Sequence, residues 1–309
     1  MKLNEQTTEE AVYYDDTGKD NHNWKELPKF PAVSLEEGND GYSYVLKGRL
    51  YFMNGLHNDN PYRFSRYNPE TNQWDQLARM LEPHASPCMV ELDGYIYALS
   101  GYREKDEDAH VERYDIAANI WESVCPFSKD GCYLYSDTTA VTFMGKILIS
   151  SMSFMGDNSE LIMKSYNPVT NQWHIVCSEK CCSQCDIPIL MVHGSTCYLA
   201  LHLLDKTRKE ETKVYELVCD LNSDQPTVQL GEEILQCSSI TKYIGAFAIE
   251  DDIFVDIDGC PYKLKSEANR EDDLNMLSGM TSSYFPVVYF TFNRQFYTSG
   301  VDKVVTRHL

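Results

Sequence analysis

Four cysteines crowd one short segment, at Cys177, Cys181, Cys182 and Cys185, and four thiolates at such spacing could complete a tetrahedral zinc site. The Cys182-Ser183-Gln184-Cys185 step has ligand spacing, yet a lone pair of this kind is a weak signal, and Cys181 beside Cys182 is awkward for two ligands of one ion. The eight histidines, at 22, 57, 84, 110, 174, 193, 202 and 308, are scattered rather than set in a ligand pattern. With 47 acidic residues, paired carboxylates suited to glycoside cleavage cannot be picked out of the sequence. No catalytic residue, metal site or cofactor is therefore assigned. Lys plus Arg is 27 against those 47 acids, so the net charge is 27 − 47 = −20, which makes nucleic acid and anionic lipid poor partners. No apolar run approaches the roughly 20 residues of a membrane helix, and the odd count of 11 cysteines fits a reducing, cytoplasmic setting better than a disulfide framework.

The elements that would position any site are legible in a repeat. All four tryptophans share one context, at Trp24, Trp74, Trp121 and Trp173, with spacings of 50, 47 and 52. Tyr67, Tyr114 and Tyr166 each stand seven residues before a tryptophan and open a polar turn, and Tyr14 begins a looser copy ahead of Trp24. Upstream of these lie six pairs of short apolar runs split by a tight polar turn, the signature of a β-hairpin. Anchored on Leu50, Ile96, Ile147, Cys197, Ile253 and Phe296, they recur at 46, 51, 50, 56 and 43 residues. Six units of about 50 residues is the arithmetic of a propeller. Aromatic and β-branched residues fill the runs and no stretch shows helical spacing, so the chain reads as all-β. In each four-stranded antiparallel unit the hairpin strands are A and B, the strand ending at the tyrosine is C, and the strand carrying the tryptophan is D.

These repeats resemble the kelch repeat, an apolar strand ending in two glycines, then a tyrosine, then a tryptophan. The likeness runs from about Tyr14 to Gly300, although the double glycine is eroded to Asn54-Gly55, Ser100-Gly101 and Ser150-Ser151 and is unrecognisable after Cys197 and Ile253. The copies at Tyr215 and Tyr262 also lack the tryptophan. The resemblance implies a single six-bladed kelch β-propeller over residues 1–309, with blades at about 40–80, 86–127, 136–178, 187–232 and 243–280. A sixth blade would combine about 11–28 with 284–309, because after Phe296 too few residues remain for strands C and D while Tyr14 and Trp24 lie where those strands are missing. Residues 11–28 are expected to pair with 284–300, with Val304-Val305 as the rival edge strand. Trp74, Trp121 and Trp173 should be wedged between blades.

The eroded glycines are most like the C-terminal kelch domains of BTB-BACK-kelch adaptors, which bring a substrate held by the propeller to a cullin-RING ubiquitin ligase held by the BTB part. The resemblance thus implies a non-enzymatic, cytoplasmic substrate-recognition domain, with cullin reached only through a BTB domain that these residues lack. A scaffolding or cytoskeletal kelch protein is the alternative. Copper-radical oxidases also use kelch propellers, but they are secreted and their metal is held by tyrosines and histidines, for which this chain has neither signal peptide nor pattern. Nitrile-specifier propellers bind iron through Glu-x-x-x-Asp-x-x-x-His, and no histidine here has that context.

In kelch propellers the B–C and D–A loops share the face that receives the partner. Aromatic residues and arginines occupy these loops here, types enriched at interface hot spots because they bury large area at low entropic cost. The B–C candidates are His57, Tyr62, Arg63, Tyr102, Arg103, Glu104 and Phe154, with Leu56 and Met155 beside them. On the D–A side stand His84, Tyr133, Tyr135, Tyr243, Tyr284 and Phe285, with Phe30. Glu104, Asp106, Glu107 and Asp108 beside Arg103 favour a protein segment carrying Lys or Arg.

Overall fold

A computed structural model of the chain describes residues 11–15, 23–26, 41–46, 49–54, 60–84, 87–99, 110–126, 139–155, 158–181, 184–204, 210–238, 244–249, 252–257, 260–264, 287–291 and 301–307. Among them every regular element is a strand and every pairing is antiparallel.

The N-terminal strands β1 (Ala11–Asp15) and β2 (Asn23–Glu26) pair with each other, Tyr14 opposite Trp24. A first meander follows, of β3 (Gly41–Leu46), β4 (Arg49–Asn54), β5 (Phe64–Asn68) and β6 (Gln73–Gln76), and a second, of β7 (Cys88–Leu92), β8 (Tyr95–Leu99), β9 (Val111–Asp115) and β10 (Ile120–Ser123). The third comprises β11 (Thr139–Phe143), β12 (Lys146–Met155), β13 (Asn158–Asn167) and β14 (Gln172–Cys181); the fourth comprises β15 (Gln184–His193), β16 (Thr196–Leu204), β17 (Glu210–Asp220) and β18 (Thr227–Ser238). Strands β19 (Ile244–Ile249), β20 (Asp252–Ile257) and β21 (Cys260–Leu264) make a three-stranded sheet among the described residues. Last come β22 (Val287–Thr291) and β23 (Val301–Arg307), joined to the N-terminus in the order β2-β1-β23-β22.

The sheets are arranged as in a propeller. Each first strand lies against the next sheet's first strand, β3 on β7, β7 on β11, β11 on β15, β15 on β19 and β19 on β22, so the A strands are innermost. Apolar side chains fill the spaces between sheets. Tyr51, Met53 and Phe64 of the first sheet meet Met89, Ile96, Tyr114 and Trp121 of the second; Val90, Tyr97 and Val111 meet Ile147, Ile149 and Tyr166 of the third; Leu148, Leu161 and Met163 meet Leu190, Leu199 and Leu217 of the fourth.

Turn chemistry explains why the repeat reads as it does. The A–B turns Asp93-Gly94 and Met144-Gly145 have positive φ at both central residues, 53° and 84° in one, 52° and 71° in the other, the two-residue geometry that matches strand twist. In the C–D turns an Asx side chain opens the bend, Asn68 Oδ1 accepting from Glu70 N, Asp115 Oδ1 from Ala117 N and Asn167 Oδ1 from Val169 N. An asparagine in the left-handed region closes it, at Asn72, Asn119 and Asn171.

That closing asparagine also fastens one sheet to the one before it. The hydroxyls of Tyr67, Tyr114 and Tyr166 donate to Oδ1 of Asn72, Asn119 and Asn171 at 3.0, 2.8 and 2.8 Å. Asn119 Oδ1 also accepts from Ala78 N of the preceding sheet at 2.8 Å, while Trp121 Nε1 donates to the carbonyl of the same Ala78 at 3.1 Å. One sheet further on, Asn171 and Trp173 grip the two backbone groups of Cys125 in the same way, at 2.8 and 2.9 Å. The expectation that the tryptophans are wedged between sheets holds most fully for Trp121, which is buried against Phe64 with ring centroids 5.2 Å apart; Trp74 and Trp173 are half-buried.

Two expectations are corrected. Strand β1 pairs with β23, Val12 opposite Val305 and Tyr13 opposite Val304, and not with residues 284–300. The rival strand takes this place because Val304 and Val305 give it the β-branched residues the ladder needs; Phe296 lies outside the described residues. Phe154 and Met155 are ladder residues opposite Ser159 and Asn158, not a loop, because Ser150-Ser151 replaces the glycine pair and the strand runs on.

Candidate functional site

In a meander the connections alternate between ends, so every A–B and C–D turn lies at one end of its sheet and every B–C and D–A connection at the other. The first sheet gives the fullest view of the second end. Its B–C connection is closed by Asn54, whose N donates to Arg63 O at 3.1 Å and whose Nδ2 donates to Asn60 O at 3.1 Å. Asn60 links this connection to the D–A segment, since its Oδ1 accepts from Arg79 Nη2 at 3.3 Å. Tyr62 O accepts from Met80 N at 3.0 Å, and the Arg79 guanidinium lies 5.5 Å above the Tyr62 ring. Arg79 is thus held by stacking and one hydrogen bond, Arg63 Nε is buried with no hydrogen-bond partner, and no described carboxylate pairs with either guanidinium. In a chain of net charge −20 this end of the first sheet presents the exposed Arg79 guanidinium.

His84 departs from its expected role. Its Nε2 meets Glu112 Oε1 at 2.8 Å, Glu112 Oε2 accepts from Leu81 N at 2.8 Å, and both side chains are about 1% exposed. A buried carboxylate needs such partners, so the pair ties the D–A segment to β9 and closes His84 to a partner. His110, at the end of the neighbouring B–C connection, approaches Glu82 at 3.9 Å.

The ladders differ in length: strands β12, β13 and β14 have 10 residues each where β4 has 6 and β8 has 5, and the extra length lies at the B–C end. At about 3.3 Å per residue the ladder of the third sheet runs roughly 15 Å further than those of the first two. Phe154 belongs to this added length, as a residue of β12.

Of the remaining expected positions, Tyr62 and Arg63 are brought together with Asn60 and Arg79, as described. His57, Tyr102, Arg103, Glu104, Tyr133, Tyr135, Tyr243, Tyr284 and Phe285 lie outside the described residues. Arg79 and Glu112 were missed from sequence; an arginine five residues past Trp74 was the available signal for the first, and nothing local distinguishes the second from other acids.

The cysteine segment is split by the fold. Cys177 is buried in β14 opposite Met163, and Cys181 ends the same strand opposite Ser159. Four residues of extended chain separate them by about 13 Å, whereas thiolates around one zinc lie within roughly 4 Å of each other. Cys177 and Cys181 therefore cannot share an ion. No described helix is long and apolar enough to cross a membrane.

Residues 83–126 match the kelch motif. Among curated proteins the chain is similar to a RING finger domain and kelch repeat-containing protein of Dictyostelium discoideum, 28% identical over 145 residues, 45% of this chain and 14% of that protein. It is also similar to Kelch-like protein 7 of Rattus norvegicus, 28% identical over 35% of this chain and 17% of the relative. Kelch-like protein 23 of Homo sapiens is 26% identical over 42% of this chain and 23% of the relative. The matches thus span less than a quarter of each of these relatives.

Proposed function

We propose, from the premise that the chain carries a kelch-repeat domain like those of the BTB-kelch proteins, that it is the substrate-recognition propeller of an adaptor for a cullin-RING ubiquitin ligase. In this reading the six sheets close into a ring over residues 1–309, β22 beside β3, and a protein partner is received in the cytoplasm by the B–C and D–A end. The domain has no catalytic role of its own. Cullin is reached through a BTB domain outside these residues.

The observation that carries the reading is the first sheet's end, where the exposed Arg79 is pre-oriented on Tyr62 and Asn60. Pre-organised arginine and aromatic groups lose little entropy on binding, which is what a partner-receiving surface requires. Glu104, Asp106, Glu107 and Asp108 of the second connection favour a partner segment with Lys or Arg. The link to a ligase draws support from the relative whose name joins kelch repeats to a RING finger domain.

Affinity capture with the whole chain as bait, followed by mass spectrometry, tests the reading. Tyr62→Ala, Arg63→Ala, Tyr102→Ala, Arg103→Ala and Tyr133→Ala should each lose the captured partner while leaving the melting temperature unchanged. Lys47→Ala and Lys146→Ala, in A–B turns at the opposite end, should retain it. The reverse pattern would mean the other end is the interface. A partner whose ubiquitination does not depend on this protein in cells would favour the scaffolding alternative.

A further inference from the structure

Three buried polar atoms of the first sheet have no hydrogen-bond partner within the protein: Asn54 Oδ1, Arg63 Nε and Ser65 Oγ. The ladder sets all three residues on one face. Met53 and Phe64 are opposite each other and both pack toward the second sheet, so alternation turns their neighbours Asn54, Arg63 and Ser65 to the other side. Asn54 and Arg63 are joined through Asn54 N and Arg63 O at 3.1 Å, and Ser65 lies two residues beyond Arg63. Residues so placed have Cβ atoms about 5 Å apart when opposite and about 7 Å apart when diagonal. Asn54 is 1% exposed and Ser65 0%, and the three unpartnered atoms are closed to bulk solvent. Asn60 O takes the Nδ2 donor of Asn54, which fixes the amide with its acceptor oxygen left over. The second sheet meets the same demand differently: opposite Ala98, as Ser65 is opposite Phe52, stands Glu112, whose longer side chain reaches His84 and Leu81 N. Serine is too short for such a reach.

We propose that Asn54, Arg63 and Ser65 form a binding site for one trapped water molecule. The chemistry of the three atoms selects the occupant. Arg63 Nε only donates, Asn54 Oδ1 only accepts, and the Ser65 hydroxyl does either, so the bound molecule must accept and donate at once. A water does this with three hydrogen bonds, the usual number for a buried one. A halide would accept from Arg63 and Ser65 but leave Asn54 Oδ1 facing a negative charge, and a metal cation would face the guanidinium. A partner's side chain has no path to atoms closed to solvent. Each hydrogen bond spans about 3 Å, so a single water bridges groups at the separations this ladder sets. With the water in place every polar atom of the Asn54 side chain and its backbone N is bonded, and the brace on the B–C connection is complete. Asn60 belongs to that brace, its carbonyl held by Arg63 N and Asn54 Nδ2, and its Oδ1 orients Arg79. The water is therefore part of the scaffold under the Arg79 guanidinium, whatever that guanidinium receives.

A high-resolution crystal structure of the whole chain provides the test. The expected result is an ordered water within about 3 Å of Arg63 Nε, Asn54 Oδ1 and Ser65 Oγ. Bromide soaked into the same crystals should give no anomalous peak at that place. In solution the Arg63 Nε–H should show a nuclear Overhauser cross-peak to water with the sign of a long-lived bound molecule, opposite to that of a freely exchanging surface water. Ser65→Val puts a methyl group where the water sits and should lose both the density and the cross-peak. Arg63→Ala removes the donor together with its need for an acceptor and leaves the water two partners, so the density should remain. If Ser65→Val does not fold, the wild-type density and cross-peak decide. Arg63 Nε bonded directly to a protein group, a bromide peak at the site, or a cross-peak that survives Ser65→Val would overturn the assignment.

Discussion

Asn119 does three jobs with one side chain: it takes a left-handed backbone that most residues avoid, accepts the Tyr114 hydroxyl, and accepts Ala78 N from the preceding sheet. Two substitutions separate these roles. Asn119→Gly keeps the backbone conformation at no steric penalty and loses only the hydrogen bonds, so it should cost about 1 to 2 kcal/mol. Asn119→Ala adds left-handed strain and should cost about 3 kcal/mol; equal losses by denaturant unfolding would mean that the backbone conformation contributes nothing. Met144 poses the opposite case, an exposed residue with φ of 52° and no side-chain reason to adopt it. Met144→Asn should stabilise by about 1 kcal/mol, because asparagine tolerates this region and favours such hairpin turns. The latch tyrosines set an alkaline limit. Desolvation raises the Tyr114 and Tyr166 phenols from about 10 to about 12, so the unfolded chain releases these protons first. Their contribution is complete below about pH 10 and falls as pH rises toward 12, by roughly 2 kcal/mol each. Unfolding followed across that window should show the loss, and Tyr166→Phe should flatten it; a flat wild-type profile would contradict the burial.

At the scale of elements, the strands were legible where local chemistry repeats and illegible where it does not. Tyr67, Tyr114 and Tyr166 face Trp74, Trp121 and Trp173 across the C–D ladder, and even the looser copy holds, Tyr14 opposite Trp24, because the register is set by turn residues visible in the sequence. The fourth sheet breaks the pattern: Tyr215 faces Glu233 and donates its hydroxyl to that carboxylate at 3.3 Å, so no tryptophan marks the strand. Strand ends were misread where the glycine pair was gone, as at Phe154, since nothing local announces that a ladder continues. Of the candidate site, Tyr62 and Arg63 could be read from type and place. The burial of His84 could not, because it depends on Glu112, 28 residues away in sequence. The clamp carries its own prediction. Glu112→Ala leaves Leu81 N and His84 without their acceptor inside the protein, so it should cost about 3 kcal/mol, whereas Glu82→Ala, at a half-exposed carboxylate 3.9 Å from His110, should cost under about 1 kcal/mol.

For the whole molecule the decisive joint is the one that brings the two ends of the chain into one sheet. Strand β1 lies between β2 and β23, Val12 opposite Glu26 on one side and Val305 on the other, so the N-terminal strands supply half of the sheet that contains the C-terminal hairpin. This joint is also the longest loop the chain must close, and in a repeat architecture each sheet is stabilised mainly by its neighbours. Losing β1 and β2 would strand β22 and β23 as a two-stranded hairpin, which is marginal by itself. Deletion of residues 1–28 should therefore lower the melting temperature sharply and broaden the transition. Deletion of residues 301–309 should do the same by removing the strand to which β1 is paired. The pairing partner can be identified independently of stability: Tyr13 and Val304 are opposite each other, so cysteines placed at these two positions should crosslink under mild oxidation. Cysteines at 13 and 296 should not. Crosslinking of the second pair in place of the first would return the joint to residues 284–300 and displace β23 from the centre of its sheet.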